Sequence, residues 1–197
     1  MKTNSKVLIA TILAACAMCA FIFYPFMCTD LHLKIYFSND SAPTECSLYY
    51  TTAESPSFSE DKLLIANITA SSADIILPKN LCGKLENVRL DFAYTDSLIG
   101  IKHIELRSAG FARNTLDASQ FFDQTNIYTT NDLSALQHTS TVTYIGTAGG
   151  DPFIIFQPNI VQEFNDAYSH YTGTKAFICL YFVITILLAH KKVFSEE

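Results

Sequence analysis

Residues 31–37 read LHLKIYF, and this heptad decides the fold. Successive side chains of a strand face opposite sides, so Leu31, Leu33, Ile35 and Phe37 point one way and His32, Lys34 and Tyr36 the other. That is a strand with one buried face and one wet face. Further β-prone runs follow at SLYYTT (47–52), KLLIANI (62–68), DIILP (74–78), NVRLDFAY (87–94), IGIKHIELR (99–107), STVTYIGT (140–147) and PFIIF (152–156). Between them lie turn-rich stretches: SNDSAPT (38–44), AESPSFSED (53–61), PKNLCGK (78–84) and TAGGDP (147–152). Eight or so short strands at this spacing predict a mainly β domain over 30–157, an antiparallel β-sandwich of jelly-roll-like character. A polar insertion from Ser108 to His138 interrupts the rhythm, and its LDASQFFDQ (116–124) and TNDLSALQH (130–138) read as short helical turns or loops.

A connecting amphipathic helix is expected over 158–171. Asn159 is placed to cap its start with Gln162 three residues on, and Ile160, Phe164, Ala167, Tyr168 and Tyr171 share one face.

Outside this domain the chain changes character. Val7 to Phe26 is a run of 20 uncharged, mostly apolar residues. At about 1.5 Å of rise per residue it spans the roughly 30 Å hydrocarbon core, so 7–27 reads as a transmembrane helix. Two other readings of the run stay open. LAAC (13–16) resembles a lipobox that would lipidate Cys16 and make the protein an envelope lipoprotein, and a cleaved signal peptide would also begin with an apolar core. The second apolar run, AFICLYFVITILLA (176–189), is short by itself but gains Lys175 and a tyrosine before it, giving a second span over 172–190. Lys2 and Lys6 precede the first run and Lys191 and Lys192 follow the second, so the positive-inside rule places 1–6 and 191–197 in the cytoplasm and 30–157 outside.

Charge and motif content exclude several function classes. Residues 30–174 carry 8 Lys or Arg against 17 Asp or Glu, a net of −9, which repels nucleic-acid phosphates. The histidines at 32, 103, 138, 170 and 190 have no zinc-ligand spacing, and CAMC (16–19) is a single C-x-x-C inside an apolar run. Neither a G-x-S-x-G elbow nor a phosphate loop occurs. The reading is therefore of a non-enzyme with no cofactor and no metal. Cys46 and Cys82 are the cysteines of the outer domain, where an oxidising compartment would permit a disulfide between them. Tyr49, Tyr50, Phe58 and Tyr94, with Asp96, form a candidate glycan-binding patch of aromatic and acidic residues, although one of Tyr49 and Tyr50 must face the core.

The order SLYYTTAESPSFSEDKLLIANI, DIILP, LENVRLDFAYTDSLIGIKHIELR and TAGGDPFIIF before an apolar run resembles an extracytoplasmic β-sandwich module of bacterial polytopic envelope-polysaccharide proteins, glycosyltransferases among them. In such modules a strand ending in Tyr-Tyr leads to a loop with a GFSE-like turn. A strand of the LRLDP kind, here VRLDFAY, then precedes a strand like GIKHIEL. Proteins of that kind continue into many spans or a catalytic domain that this sequence does not contain. The resemblance implies a bacterial cell-membrane protein, held in the lipid bilayer by two spans, that serves as a non-catalytic accessory or recognition module of envelope-polysaccharide assembly. Its expected partners are an envelope glycan or a polytopic glycosyltransferase. The alternative is a subunit whose catalytic part lies on another chain.

Overall fold

The computed structural model describes residues 29–38, 41–93, 98–108, 111–168 and 181, without the side chains of 111–113. The predicted membrane spans 7–27 and 172–190 (save Tyr181), both terminal stretches, Cys16, Tyr94, Asp96 and Tyr171 lie outside them. Among the described residues no helix is long and apolar enough to cross a membrane. Asp30–Ser169 forms one compact unit.

That unit is mainly β. Its strands are β1 (Leu31–Phe37), β2 (Cys46–Thr52), β3 (Leu63–Ile65), β4 (Asn67–Ile68), β5 (Ser72–Leu77) and β6 (Leu85–Phe92), then β7 (Ile99–Ser108), β8 (Phe111–Asp117), β9 (Ile127–Asn131), β10 (Leu133–His138), β11 (Thr143–Thr147) and β12 (Phe153–Phe156). A four-residue helix, α1 (Ala118–Phe121), follows β8, and a longer helix, α2, covers 158–168. One sheet runs β10-β11-β7-β1-β5-β4 and the other β3-β2-β6-β12-β9. Every pairing is antiparallel. β7 is long enough to hold two strands on one edge, β11 against Ile99–Ile101 and β8 against His103–Ser108.

The heptad at 31–37 behaves as its alternation predicts, buried and half-buried in strict turn. Leu33 lies opposite Ile75 and Leu106, and Ile35 opposite Ala73 and Ile104. In the second sheet Leu48, Leu90 and Ile154 form one row. The inward residues of both sheets join in a single core, the arrangement of a β-sandwich. Each fully buried Leu or Ile contributes about 1.5–3 kcal/mol relative to exposure.

α2 closes one end of the core with Ile160, Val161, Phe164, Ala167 and Tyr168, all buried. Its start differs from the expectation. Pro158 is already helical and the amides of Ile160 and Val161 bond to the Gln157 carbonyl, so the helix begins two residues before an Asn159 cap would allow. Proline suits a first helical position because its missing N–H has no partner there in any case. Asn159 instead donates to the Asn126 side chain.

The insertion at 108–138 is the other departure. It holds three strands, β8, β9 and β10, with α1 inside LDASQFFDQ and a 3-10 turn, Gln124–Asn126, beginning at its last residue. TNDLSALQH is the end of β9, a corner and β10. Asp132 makes that corner at φ +48°, a conformation aspartate tolerates better than most side chains. A Cβ on Gly149 would meet the Asp132 carboxylate, so glycine lets the β11–β12 connection pass.

Candidate functional site

Tyr49 and Tyr50 face opposite sides of β2, as adjacent strand residues must. Tyr50 packs against the core, whereas Tyr49 lies on the outer face beside Arg89, whose guanidinium carbon is 5.2 Å from the tyrosine ring centroid. Of the other residues of the predicted glycan patch, Tyr94 and Asp96 lie outside the described residues, and Phe58 is placed by the strand register. β2 and β6 are antiparallel with Cys46 opposite Phe92 and Thr52 opposite Leu85, so the loop bearing Phe58 follows β2 at the Leu85 end. Ala93, which precedes Tyr94, bonds to the Glu45 carbonyl at the other end of the same strands. About seven residues of strand, roughly 20 Å, separate Ala93 from the start of the loop that bears Phe58. Phe58 is half-buried, in a loop whose conformation is set by Lys62. The buried Lys62 ammonium donates to the carbonyls of Ser55 (2.8 Å) and Ser57 (2.6 Å).

The expected disulfide is absent as well. Cys46 and Cys82 are both free, because Cys46 points into the core opposite Phe92 while Cys82 is exposed in the turn after β5. In that turn the Lys84 amide bonds to the Leu81 carbonyl and Gly83 takes φ +69°, which glycine accommodates. Burial pushes the Cys46 thiol far above its usual range, with Asp91 and Glu45 adding to the shift. Thiolate is the reactive form. Peptide mapping after brief alkylation of folded protein should therefore find Cys82 modified and Cys46 untouched until denaturant is added.

Two clusters that the sequence reading passed over occupy the outer faces. On the second sheet Arg89 donates to both Asp91 oxygens (2.7 and 2.6 Å) and to Asp151 (2.8 Å), and it covers the Phe153 ring at 3.8 Å from the centroid. Burial raises the Asp91 carboxyl above the usual aspartate range even with Arg89 against it. The signal was present in VRLDF, since two charges two residues apart on a strand share a face. On the first sheet the Tyr36 hydroxyl donates to Glu105 (3.1 Å) and its ring stacks on His103, centroids 4.3 Å apart. Arg107 and His103 also approach Glu105, at 3.9 and 3.8 Å, and His32 lies 3.0 Å from Asp74.

Both clusters spend their charges on one another across a sheet surface. Among the described residues no group of three His, Cys, Asp or Glu side chains could hold a metal ion. No known protein family, curated protein or solved structure matches the chain.

Proposed function

We propose that the chain is a membrane-anchored, non-catalytic recognition or accessory module of envelope-polysaccharide assembly, with the β unit outside the membrane. One observation carries the anchoring. The Lys79 amide bonds to the Asp30 carboxylate (2.9 Å), while the Tyr168 hydroxyl donates to the carbonyls of Leu77 (3.0 Å) and Pro78 (3.1 Å). Asp30 and Tyr168, near the two chain ends of the β unit, thus both lie against the short segment Leu77–Lys79, at one end of that unit. A domain held by two spans needs this arrangement, because both segments must enter the membrane from one side. The glycan part of the reading rests on the sequence resemblance to envelope-polysaccharide modules.

The test is topological. A reporter fused after Glu197 should read as cytoplasmic, and Ser140→Cys, at an exposed position of the β10–β11 hairpin, should be labelled from outside intact cells in a Cys82→Ser background that is itself not labelled. An exterior C-terminus would end the two-span reading, and a mature chain beginning at lipidated Cys16 would replace it with a lipoprotein.

A further inference from the structure

Strands β9 and β10 diverge from the Asp132 corner into different sheets, and each is the last strand of its sheet. Half the backbone donors and acceptors of such a strand face outward, away from its ladder. Both strands also carry an irregularity. Along β9 the pairing passes from Ile155 opposite Thr129 to Phe156 opposite Ile127, skipping Tyr128, and along β10 it skips Ser134 between Leu133 and Ala135. One extra residue resets the alternation, so residues three apart face the same side. Ile127 and Thr130 therefore turn inward from β9, and Leu133 and Leu136 from β10. With Gln124, Ser134 and Ala135 these four line an open cleft of about 350 Å³. A Cβ on Gly146 would meet Ser134 and Ala135, so glycine there lets β10 bend close to β11.

The chemistry of the cleft selects its occupant. Residues 124–150 carry one acidic residue, Asp132, and no Lys or Arg, within a domain of 8 basic and 17 acidic residues. A charged group entering would lose its hydration and gain no partner. Among the described residues no aromatic ring lines the cleft, so a sugar finds no face there to stack on. What the cleft does offer is two strand edges that no described strand pairs, with apolar and hydroxyl side chains between them. Edge strands are commonly guarded by lysine, proline or a covering element, and 127–131 and 133–138 contain neither residue. A bulge can itself blunt an edge, but here two bulges turn side chains into one shared space. A second copy is a poor fit: antiparallel pairing of β9 with itself would put the Asp30–Tyr168 ends of the two copies at opposite ends, which one membrane does not allow.

We propose that this cleft accepts an extended, uncharged segment of a partner polypeptide, added as a strand along β9 or β10 with apolar side chains entering between Ile127 and Leu136. The test uses the full chain in detergent and a capped peptide of alternating threonine and valine with a lysine at each end. Amide hydrogen exchange across 127–138 should slow at least tenfold with saturating peptide. The slowing should vanish in Thr130→Lys and Ser134→Lys, both at exposed positions and both expected to keep the parent Tm. It should vanish too with a peptide N-methylated at alternate residues, which cannot complete the ladder. No slowing at either edge, or slowing that survives N-methylation, overturns the proposal. Slowing by cellobiose but not by the peptide would assign the cleft to a neutral glycan instead.

Discussion

Phe121→Ala is expected to lower the unfolding free energy by about 3–5 kcal/mol, the range for emptying a large aromatic site that the surroundings only partly refill. Phe121 ends α1 and is 1% exposed. Its ring lies 5.1 Å from that of Phe122, 4.7 Å from Phe156 and 6.5 Å from Phe164, centroid to centroid. One side chain thus joins the insertion, the last strand and α2. Its loss should also loosen α2, so exchange of the 158–168 amides should quicken more than that of β1. Urea unfolding followed by tyrosine fluorescence measures the first effect, and native-state exchange the second. A loss under about 1 kcal/mol would mean that the four rings do not form a packed cluster.

Arg89→Met should cost about 2 kcal/mol at neutral pH. Removing one partner of a fully buried pair costs about 3–5 kcal/mol, and here the side chains of Arg89 and Asp91 retain 18% and 15% exposure, which lets water offset part of it. The loss has a defined pH dependence. Burial already raises the Asp91 carboxyl, and without the guanidinium its folded-state value rises further. Below the unfolded aspartate value of about 3.9 the group is protonated in both states, and the deficit shrinks to lost packing against Tyr49 and Phe153. As pH rises through the folded value the folded variant binds more protons than the unfolded chain, so its stability falls and the deficit grows to its full size. Adding Asp91→Asn should recover most of the loss at pH 7. A deficit that does not change with pH would show that Arg89 contributes through packing alone.

The strands legible in the sequence were those rich in apolar residues: LHLKIYF, where period two survives because one side meets the core, and PFIIF, a continuous apolar run bounded by turn residues. β9 was missed for the opposite reason. Ile127 is half-buried, Tyr128 is 70% exposed and the remaining three residues are exposed, so IYTTN has no dry face to betray it. β10 hides its pattern behind the Ser134 bulge, which breaks the alternation at its second residue. The candidate glycan patch poses a different problem. Nothing local says at which end of a strand a loop will lie; that depends on the direction in which β2 and β6 run, and the register places the start of the Phe58 loop and Ala93 at opposite ends. That one of Tyr49 and Tyr50 must face the core was legible, because it follows from backbone geometry alone; that it is Tyr50 is a finding of the structure.

The central position of β1 also governs how the domain comes into being. It is the first described strand to be synthesised, yet its two neighbours come from far along the chain: His32 meets Asp74 at a separation of 42 residues and Tyr36 meets Glu105 at 69. Closing such loops costs entropy before any contact compensates it, and folds dominated by distant pairings take milliseconds to seconds. Leu31, Leu33, Ile35 and Phe37 therefore lack one of their two neighbouring strands until β7 has emerged. Through that interval the nascent chain is a client for holding chaperones, and a charge placed at Ile35 should show itself first as lost yield, before any folded protein exists to be destabilised.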